Sequence, residues 1–430
     1  MRRDREARAG ATPARGAAVK EPITLGPGSG RRTATLFILI TVMLDSAALT
    51  IILPALPKLV NSLHVHAATS IGEIIGLLAI AFAGMQFLAS PVQGALSDRF
   101  GRRPIVLASN FGLGLNYVIM ALAPNLAWLF IGRLISGVAA GSTSAAYAYI
   151  ADISTPQQRT TGYGLLQAAQ GLGWAIGPVV GGFLVDSGGV RSPFWIAAGL
   201  SLANAIFGLL ILPESLAQDK RARLSLDHLN PFAAVYSLIR CYPRLLAILT
   251  PSFLMNVIFT GLITIAAVYT TYRYGWTGTH IGLYLLVLAG GVMAGTALLP
   301  ALVVNRIGER ATAVGGMVLQ TAALLVAGLA STSAGYWWAV PLMCLGAVAN
   351  PAWSAIASHS VSDSEQGRLN GAATSLASIA GVVGPGLFAE VYAHSAGASG
   401  KSFTAGAPFF VAAGLAIVAA AMAGWATRRR

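Results

Sequence analysis

Residues 94–104 read Gly94-Ala95-Leu96-Ser97-Asp98-Arg99-Phe100-Gly101-Arg102-Arg103-Pro104, and 207 residues further on the chain returns to that skeleton as Asn305-Arg306-Ile307-Gly308-Glu309-Arg310. The same offset carries Gly164 onto Gly371 and the pair Gly177-Pro178 onto Gly384-Pro385. Three features sharing one register mark an internal duplication. Duplicated apolar helical halves, with a ligand site between them near the bilayer midplane, are the architecture of secondary transporters. The repeat therefore predicts transport before any single side chain is considered.

Composition places the chain in a membrane. Of its 430 residues 55% are hydrophobic and only 10% charged, too little polar surface for a soluble protein of this length. The net charge of +13 would suggest nucleic acid in a soluble protein, but the basic residues lie in the connections between apolar segments, so no nucleic-acid partner is expected. Cys241 and Cys344 lie far apart with neither Cys-x-x-Cys spacing nor a partnering histidine cluster, so neither a disulfide framework nor a metal site is indicated. The first 32 residues, rich in Arg, Ala, Gly and Pro, read as a disordered basic tail rather than a targeting peptide.

A helix needs about 20 mostly apolar residues to cross the hydrocarbon core. Cutting at charged or Gly/Pro turns gives twelve such segments, near residues 34–56, 71–93, 104–123, 126–151, 160–185, 192–212, 245–271, 281–303, 311–330, 336–358, 368–392 and 405–427. Twenty-three of the 28 Lys and Arg fall in the two tails and the even-numbered loops; Lys58, Arg191, Arg273 and Lys401 lie on the other side, and Arg133 lies inside a span. The positive-inside rule then makes both termini cytoplasmic and the span number even. The expected organisation is a basic tail (1–33), a six-helix bundle (34–213), a cytoplasmic linker (214–244), a second six-helix bundle (245–427) and a basic end (428–430). The fold class is an all-α membrane protein of two pseudo-symmetric bundles, acting as a monomer in a bacterial cytoplasmic membrane.

Asp45 is the one acid deep within a span, about 16 Å from the start of the first helix at 1.5 Å per residue. A carboxylate at the midplane costs about 2.5–3.5 kcal/mol on insertion scales, so such groups face cavities and bind protons or cations. The bland alternative is an Asp paired with a neighbouring helix. Arg133 either snorkels outward or turns into the bundle. Gln86, Asn116, Asn256 and Gln320 are mid-span amides that either bond a ligand or glue helices together, and as a set they suggest a polar cavity. The fifth span carries Gly173, Gly177 and Gly181 at four-residue spacing beside Pro178 and Gly182, a small face for close helix packing and a candidate hinge. In the quoted loop, Asp98 is expected to favour the N-terminus of the next helix, and Arg99, Arg102 and Arg103 to supply topology charge. With Gly94 and Gly101 these residues suggest a charged latch between helices.

Gly94-x-x-x-Asp98-Arg99-Phe100-Gly101-Arg102-Arg103 resembles the loop signature of the major facilitator superfamily. Gly171-x-Gly173-x-x-x-Gly177-Pro178-x-x-Gly181-Gly182 is similar to the fifth-helix signature of its proton-coupled exporters. Leu44-Asp45, Leu53-Pro54-x-Leu56-Pro57, Gly132-Arg133-Leu134-x-Ser136-Gly137, Arg273-Tyr274-Gly275-Trp276 and Glu365-Gln366-Gly367 resemble the twelve-helix drug:proton antiporters, tetracycline exporters above all. The resemblance implies substrate and proton binding by Asp45 and Arg133 and a ligand contact by Gln86. The chain departs from the Gram-negative tetracycline exporters at three positions, with Asn116 and Gln320 where those carry aspartates and Val292 where they carry a histidine. Those departures leave Asp45 as the main proton carrier, and the resemblance implies export of a small amphipathic drug, tetracycline or a related antibiotic among the candidates, with a proton as coupling ion and no cofactor. The competing reading is movement of an endogenous metabolite such as a sugar or siderophore-like compound. An enzyme is disfavoured: His64, His66, His228, His280, His359 and His394 are scattered, and neither paired buried carboxylates nor a nucleotide loop is present.

Overall fold

Gly101, which separates the second span from the third, has φ 109° and ψ 163°, a backbone region open almost only to glycine. Gly308, its partner at the 207-residue offset, has φ 79° and ψ 163°. The repeated loop is thus one chain corner made twice. The structure is a computed structural model that describes residues 29–63, 71–221, 243–361, 366–396 and 403–428. Most of the basic tail and of the linker, with Cys241, His64, His66, His228, Glu365 and Lys401, lie outside the described residues.

The described chain is helical. In the first half it forms α1 (Ser29–Ile51), α2 (Leu56–Ser62), α3 (Ile71–Phe100), α4 (Arg102–Leu122), α5 (Leu126–Ala139), α6 (Ser142–Ile153), α7 (Pro156–Gly188) and α8 (Ser192–Ile211). In the second it forms α9 (Pro243–Tyr274), α10 (Gly278–Leu329), α11 (Ser333–Trp337), α12 (Ala339–Gly346), α13 (Ala349–Ser358), α14 (Gln366–Ala396) and α15 (Ala407–Arg428). Among the described residues eleven helical runs are long and apolar enough to span a membrane. One of them is α10, 52 residues long and broken at Gly308 into arms 278–307 and 309–329, which makes twelve. The expected first span, 34–56, is shifted: α1 stops at Ile51, and Pro57 sits in the first turn of α2. Proline lacks the backbone donor that helix continuation needs but fits a first turn.

The duplication also governs where helices break. The fourth span is interrupted between Ala139 and Ser142, and the tenth between Gly346 and Ala349, positions 207 residues apart. α1 lies along α7, and α9 along α14. Thr50 Oγ1 donates to the Gly173 carbonyl at 3.3 Å and Thr260 Oγ1 to the Ala380 carbonyl at 2.9 Å, two acceptors again 207 apart. Pro178 and Pro385 lie inside helices α7 and α14, each of which runs on unbroken.

The halves meet where α7 packs on the first arm of α10 and α3 on α14. At the end opposite the termini this contact is backbone-close: a Cβ on Gly278 would lie 2.7 Å from the Gly182 carbonyl oxygen, and one on Gly76 2.1 Å from Ala389 Cβ. Near the terminal face the corresponding test at Gly94, Gly164 and Gly371 meets no atom within 4 Å. Leu115, Phe183, Leu210 and Leu298 are each more than half exposed, an apolar outer surface suited to lipid.

Candidate functional site

Asp45 projects from α1 and is 7% exposed. Asn204 of α8 donates through Nδ2 to Asp45 Oδ1 at 3.2 Å. The hydrogen-bond network orients the Asn110 amide of α4 so that its nitrogen donates to both carboxylate oxygens, at 3.1 and 3.0 Å, while its oxygen accepts from Asn204 Nδ2 at 2.9 Å. Thr41 Oγ1 donates in turn to Asn204 Oδ1 at 3.2 Å, and Ser142, just past the break in the fourth span, lies against the same carboxylate. The carboxylate is thus held by neutral donors from three further spans.

A cavity of about 340 Å³ opens beside it, lined by Asp45, Gln86, Arg133 and Trp174 from the first half and by Thr260 and Pro385 from the second. Arg133 has turned into the bundle rather than outward: it is 6% exposed, its guanidinium lies 5.8 Å from the centre of the Phe82 ring, and its Nε has no hydrogen-bond partner. Among the described residues it makes no ion pair within 4.0 Å, so a buried cation and a buried acid share one cavity wall without neutralising each other. A second cavity, about 380 Å³, lies in the second half and includes Asn256, Gln320 and Val292; it shares the walls Ile263, Ala266 and Leu285 with the first. A third, about 410 Å³, shares Asn256 and Asn350 with the second and extends past Ser354 and Asn370 toward the terminal face.

Five of the six predicted binding residues therefore line these two cavities: Asp45, Gln86 and Arg133 the first, Asn256 and Gln320 the second. Asn116 does not. It is fully buried between α4 and α5, donating to Ser136 Oγ at 2.5 Å, and serves as helix glue. Asn110 and Asn204 were equally visible as mid-span amides, but only packing shows which amides reach the acid.

The quoted loop differs from expectation in two ways. Asp98 lies in the last turn of α3 and pairs with Arg102 at 2.5 Å, and Arg102 also reaches Asp152 at 3.2 Å. The carboxylate at the start of α4 is instead Glu214, which accepts from the backbone nitrogens of Arg102 at 2.8 Å and Arg103 at 3.3 Å. Arg103 donates to the Leu209 carbonyl at 2.7 Å, and Arg99 stacks over Phe100. These contacts all fall within the first half, so the loop here ties helices of one bundle.

Gly173, Gly177 and Gly181 face α1, inside their own half, whereas Gly182 and the Pro178 carbonyl face the first arm of α10. Beside that contact sits a tie the sequence reading did not anticipate. Asp186 of α7 accepts from Gly278 N at 3.1 Å, Thr279 N at 2.7 Å and Thr279 Oγ1 at 2.8 Å, and pairs with Lys58 at 2.8 Å. A first-half carboxylate thus caps the first turn of a second-half helix, where backbone donors have no helical partner.

Two repeated six-span bundles enclosing a polar, charged cavity at mid-span define a multi-pass membrane transporter. The chain belongs to the Major Facilitator Superfamily, whose family model matches residues 38–385. It is 34% identical to the class C tetracycline resistance protein of Escherichia coli, over 88% of this chain and 94% of that one. It is 31% identical to the class B protein of Escherichia coli over 84% and 89% of the two chains, and 26% identical to multidrug resistance protein 2 of Bacillus subtilis over 83% and 88%. Among solved structures, a bacterial homologue of the human lysosomal transporter Spinster, inward-facing and occupied, matches with a TM-score of 0.74 at 16% identity over 93% and 98% of the chains. Relatives and fold alike are those of transporters, not enzymes.

Proposed function

We propose that the chain is a proton-driven exporter of a small amphipathic drug, tetracycline-like compounds among the candidates, working by alternating access in a bacterial cytoplasmic membrane with both termini cytoplasmic. The observation that carries this reading is Asp45, a mid-span carboxylate held by neutral amides beside a cavity lined by both halves. Because its partners are uncharged, taking up a proton strands no buried cation, so the group can load and unload as access alternates. The names of the relatives support a drug as cargo.

In this reading the terminal face is cytoplasmic and the conformation is open to it, since the halves are pressed together at the opposite end. The drug enters from the inside while Asp45 is ionised; after the halves rock, a proton from outside replaces it and is carried inward. A drug in the cavity that Asp45 lines loads best while the acid is ionised and is opposed by its protonation, and that opposition couples the two flows.

The test is transport in proteoliposomes under an imposed pH gradient, after a resistance screen in an efflux-deficient bacterium with tetracycline, chloramphenicol and dyes. Asp45→Asn is expected to lose gradient-driven export. Full gradient-driven export by that variant would remove Asp45 as the proton carrier, and a flat resistance screen would remove the drug.

A further inference from the structure

Every hydrogen bond that an amide makes to Asp45 is donated to it. Asn110 gives two, at 3.1 and 3.0 Å, and Asn204 one, at 3.2 Å. Behind them the chain of bonds continues: Asn204 also donates to the Asn110 amide oxygen at 2.9 Å, and its own oxygen accepts from Thr41 Oγ1 at 3.2 Å. Asn110, Asn204 and Thr41 are each at most 2% exposed, so none of them can turn to water for a missing partner. That arrangement suits the ionised carboxylate. A protonated carboxyl carries an O–H that needs an acceptor, and the Asn110 and Asn204 nitrogens facing it are donors only.

The same residues have a second arrangement. The terminal torsion of an asparagine is broad and roughly two-fold, so half a turn exchanges its oxygen and nitrogen in place. With Asn110 turned, its oxygen stands 3.1 Å from Asp45 Oδ1 and can accept the carboxyl O–H, while the carboxyl keeps an acceptor oxygen for Ser142. The Asn110 nitrogen then faces Asn204 at 2.9 Å, which forces Asn204 to turn as well, for two N–H groups cannot bond each other. Asn204 in turn donates to Thr41 Oγ1, a hydroxyl that accepts as readily as it donates and can send its own hydrogen to a carbonyl of its helix. In either arrangement each amide both donates and accepts. Ionisable neighbours are few: Arg133 is the other charged residue lining the cavity, and α6 and α7 add only Ser142, Thr143, Gln170 and Trp174 to it. α8 has no ionisable side chain, and Tyr117 of α4 interacts with the carboxylate electrostatically.

We propose that Asn110, Asn204 and Thr41 are positioning residues for proton carriage: they form a reversible hydrogen-bond chain whose two amides turn together when Asp45 takes up or releases its proton. The incoming proton forms the Asp45 O–H bond. The bonds that Asn110 and Asn204 donated to the acid are exchanged for one that the acid donates to Asn110 and one that Asn204 donates to Thr41. No charge moves beyond the carboxylate. The chain joins α1, α4 and α8, so both protonation states hold the same three helices together while the halves rock. This inference rests on the exporter reading, in which Asp45 carries the proton, and names the residues that let it do so inside the bilayer.

The experiment titrates the purified full-length chain in detergent by infrared difference spectroscopy, with the asparagine side-chain carbonyls isotope-labelled, in parallel with export from proteoliposomes. The Asp45 carboxyl band is the one absent from Asp45→Asn. In wild type the asparagine bands should shift with the same midpoint as that band, and in Asp45→Asn they should stay fixed. Thr41→Val is the deciding variant, because Thr41 bonds Asn204 and not the acid. In a fixed network the lost hydroxyl costs both protonation states alike, and the midpoint stays. In the reversible chain it leaves an N–H without an acceptor in the protonated state, a worse defect than the bare carbonyl oxygen of the ionised one. The midpoint should therefore fall, by about half a pH unit or more. Thr41→Ser keeps the hydroxyl and should keep the midpoint. An unmoved or raised midpoint in Thr41→Val, asparagine bands that stay fixed while the carboxyl band titrates, or no Asp45 carboxyl band at all would overturn the chain. Gradient-driven export with an unmoved Thr41→Val midpoint sinks the chain alone; the expected infrared pattern without export of any compound sinks the exporter reading alone.

Discussion

Asn110 and Asn204 donate to Asp45 at 3.0–3.2 Å, and Asn204 donates to the Asn110 amide oxygen at 2.9 Å, in a pocket where the acid is 7% exposed. Replacing Asn204 by leucine would leave Asp45 its bonds from Asn110 but strand the Asn110 amide oxygen and the Thr41 hydroxyl, a loss of about 1–3 kcal/mol for each buried group left unpaired. Asn204→Leu is therefore expected to lower the thermal midpoint in detergent and to depress export, while Asn116→Leu, away from the cavity, should lower stability with transport per folded molecule kept. Equal transport loss in the two variants would contradict this division. At Asp98 the argument runs the other way. Its own side chain is half exposed and Arg102 keeps a second carboxylate in Asp152, and pairs open to solvent in this way contribute about 0–1 kcal/mol. Asp98→Asn should thus leave stability nearly unchanged yet impair transport far more than Asn305→Ala, whose amide only donates to the Ala301 carbonyl of its own helix. Equal tolerance of both changes would reduce the loop to a topology signal.

At the scale of elements, the tie between Asp186 and the start of α10 joins the two halves at the end away from the termini. Caps of this kind contribute about 0.5–2 kcal/mol, enough to bias two access states that differ by a few kcal/mol. Asp186→Ala should therefore raise the accessibility of a cysteine placed at Leu53 to a membrane-impermeant thiol reagent added at that face. Unaltered labelling would make Asp186 an ordinary cap. Gly278→Val is a harsher version, since its side chain would strike the Gly182 carbonyl, and should lock the halves apart. The glycine pattern on α7 was legible as a packing face, but not which partner each glycine meets. Gly173, Gly177 and Gly181 face α1, and Gly182, one residue further round the helix, faces the other half.

For the whole molecule, the 207-residue register extends from sequence into backbone geometry: two positive-φ corners, two broken spans and two carbonyls, of Gly173 and Ala380, that each accept from a threonine of the neighbouring helix. The copies have diverged in what surrounds them. A Cβ on Gly101 would lie 2.2 Å from Glu214 Oε2, whereas one on Gly308 meets nothing within 4 Å. Both alanine variants carry the backbone strain of a positive φ, about 1–3 kcal/mol, but Gly101→Ala should be the more destabilising in thermal unfolding because it also displaces the carboxylate that caps α4. Equal midpoints would mean that Glu214 moves aside freely.

That this is a twelve-span duplicated membrane protein is readable from residue order alone, because span length, charge placement and a long repeat are one-dimensional signals. The same order also singles out Asp45, since an acid in the middle of an apolar helix is conspicuous without any structure. Helix packing is what settles which amides bond that acid, that Arg133 turns inward, that Asn116 bonds Ser136 of the next helix and that Gln320 lies at a charge-free cavity. Those outcomes depend on which faces of helices far apart in sequence come together. Two amides on different helices look alike in a sequence, and only the neighbour each one finds makes it a site or a strut.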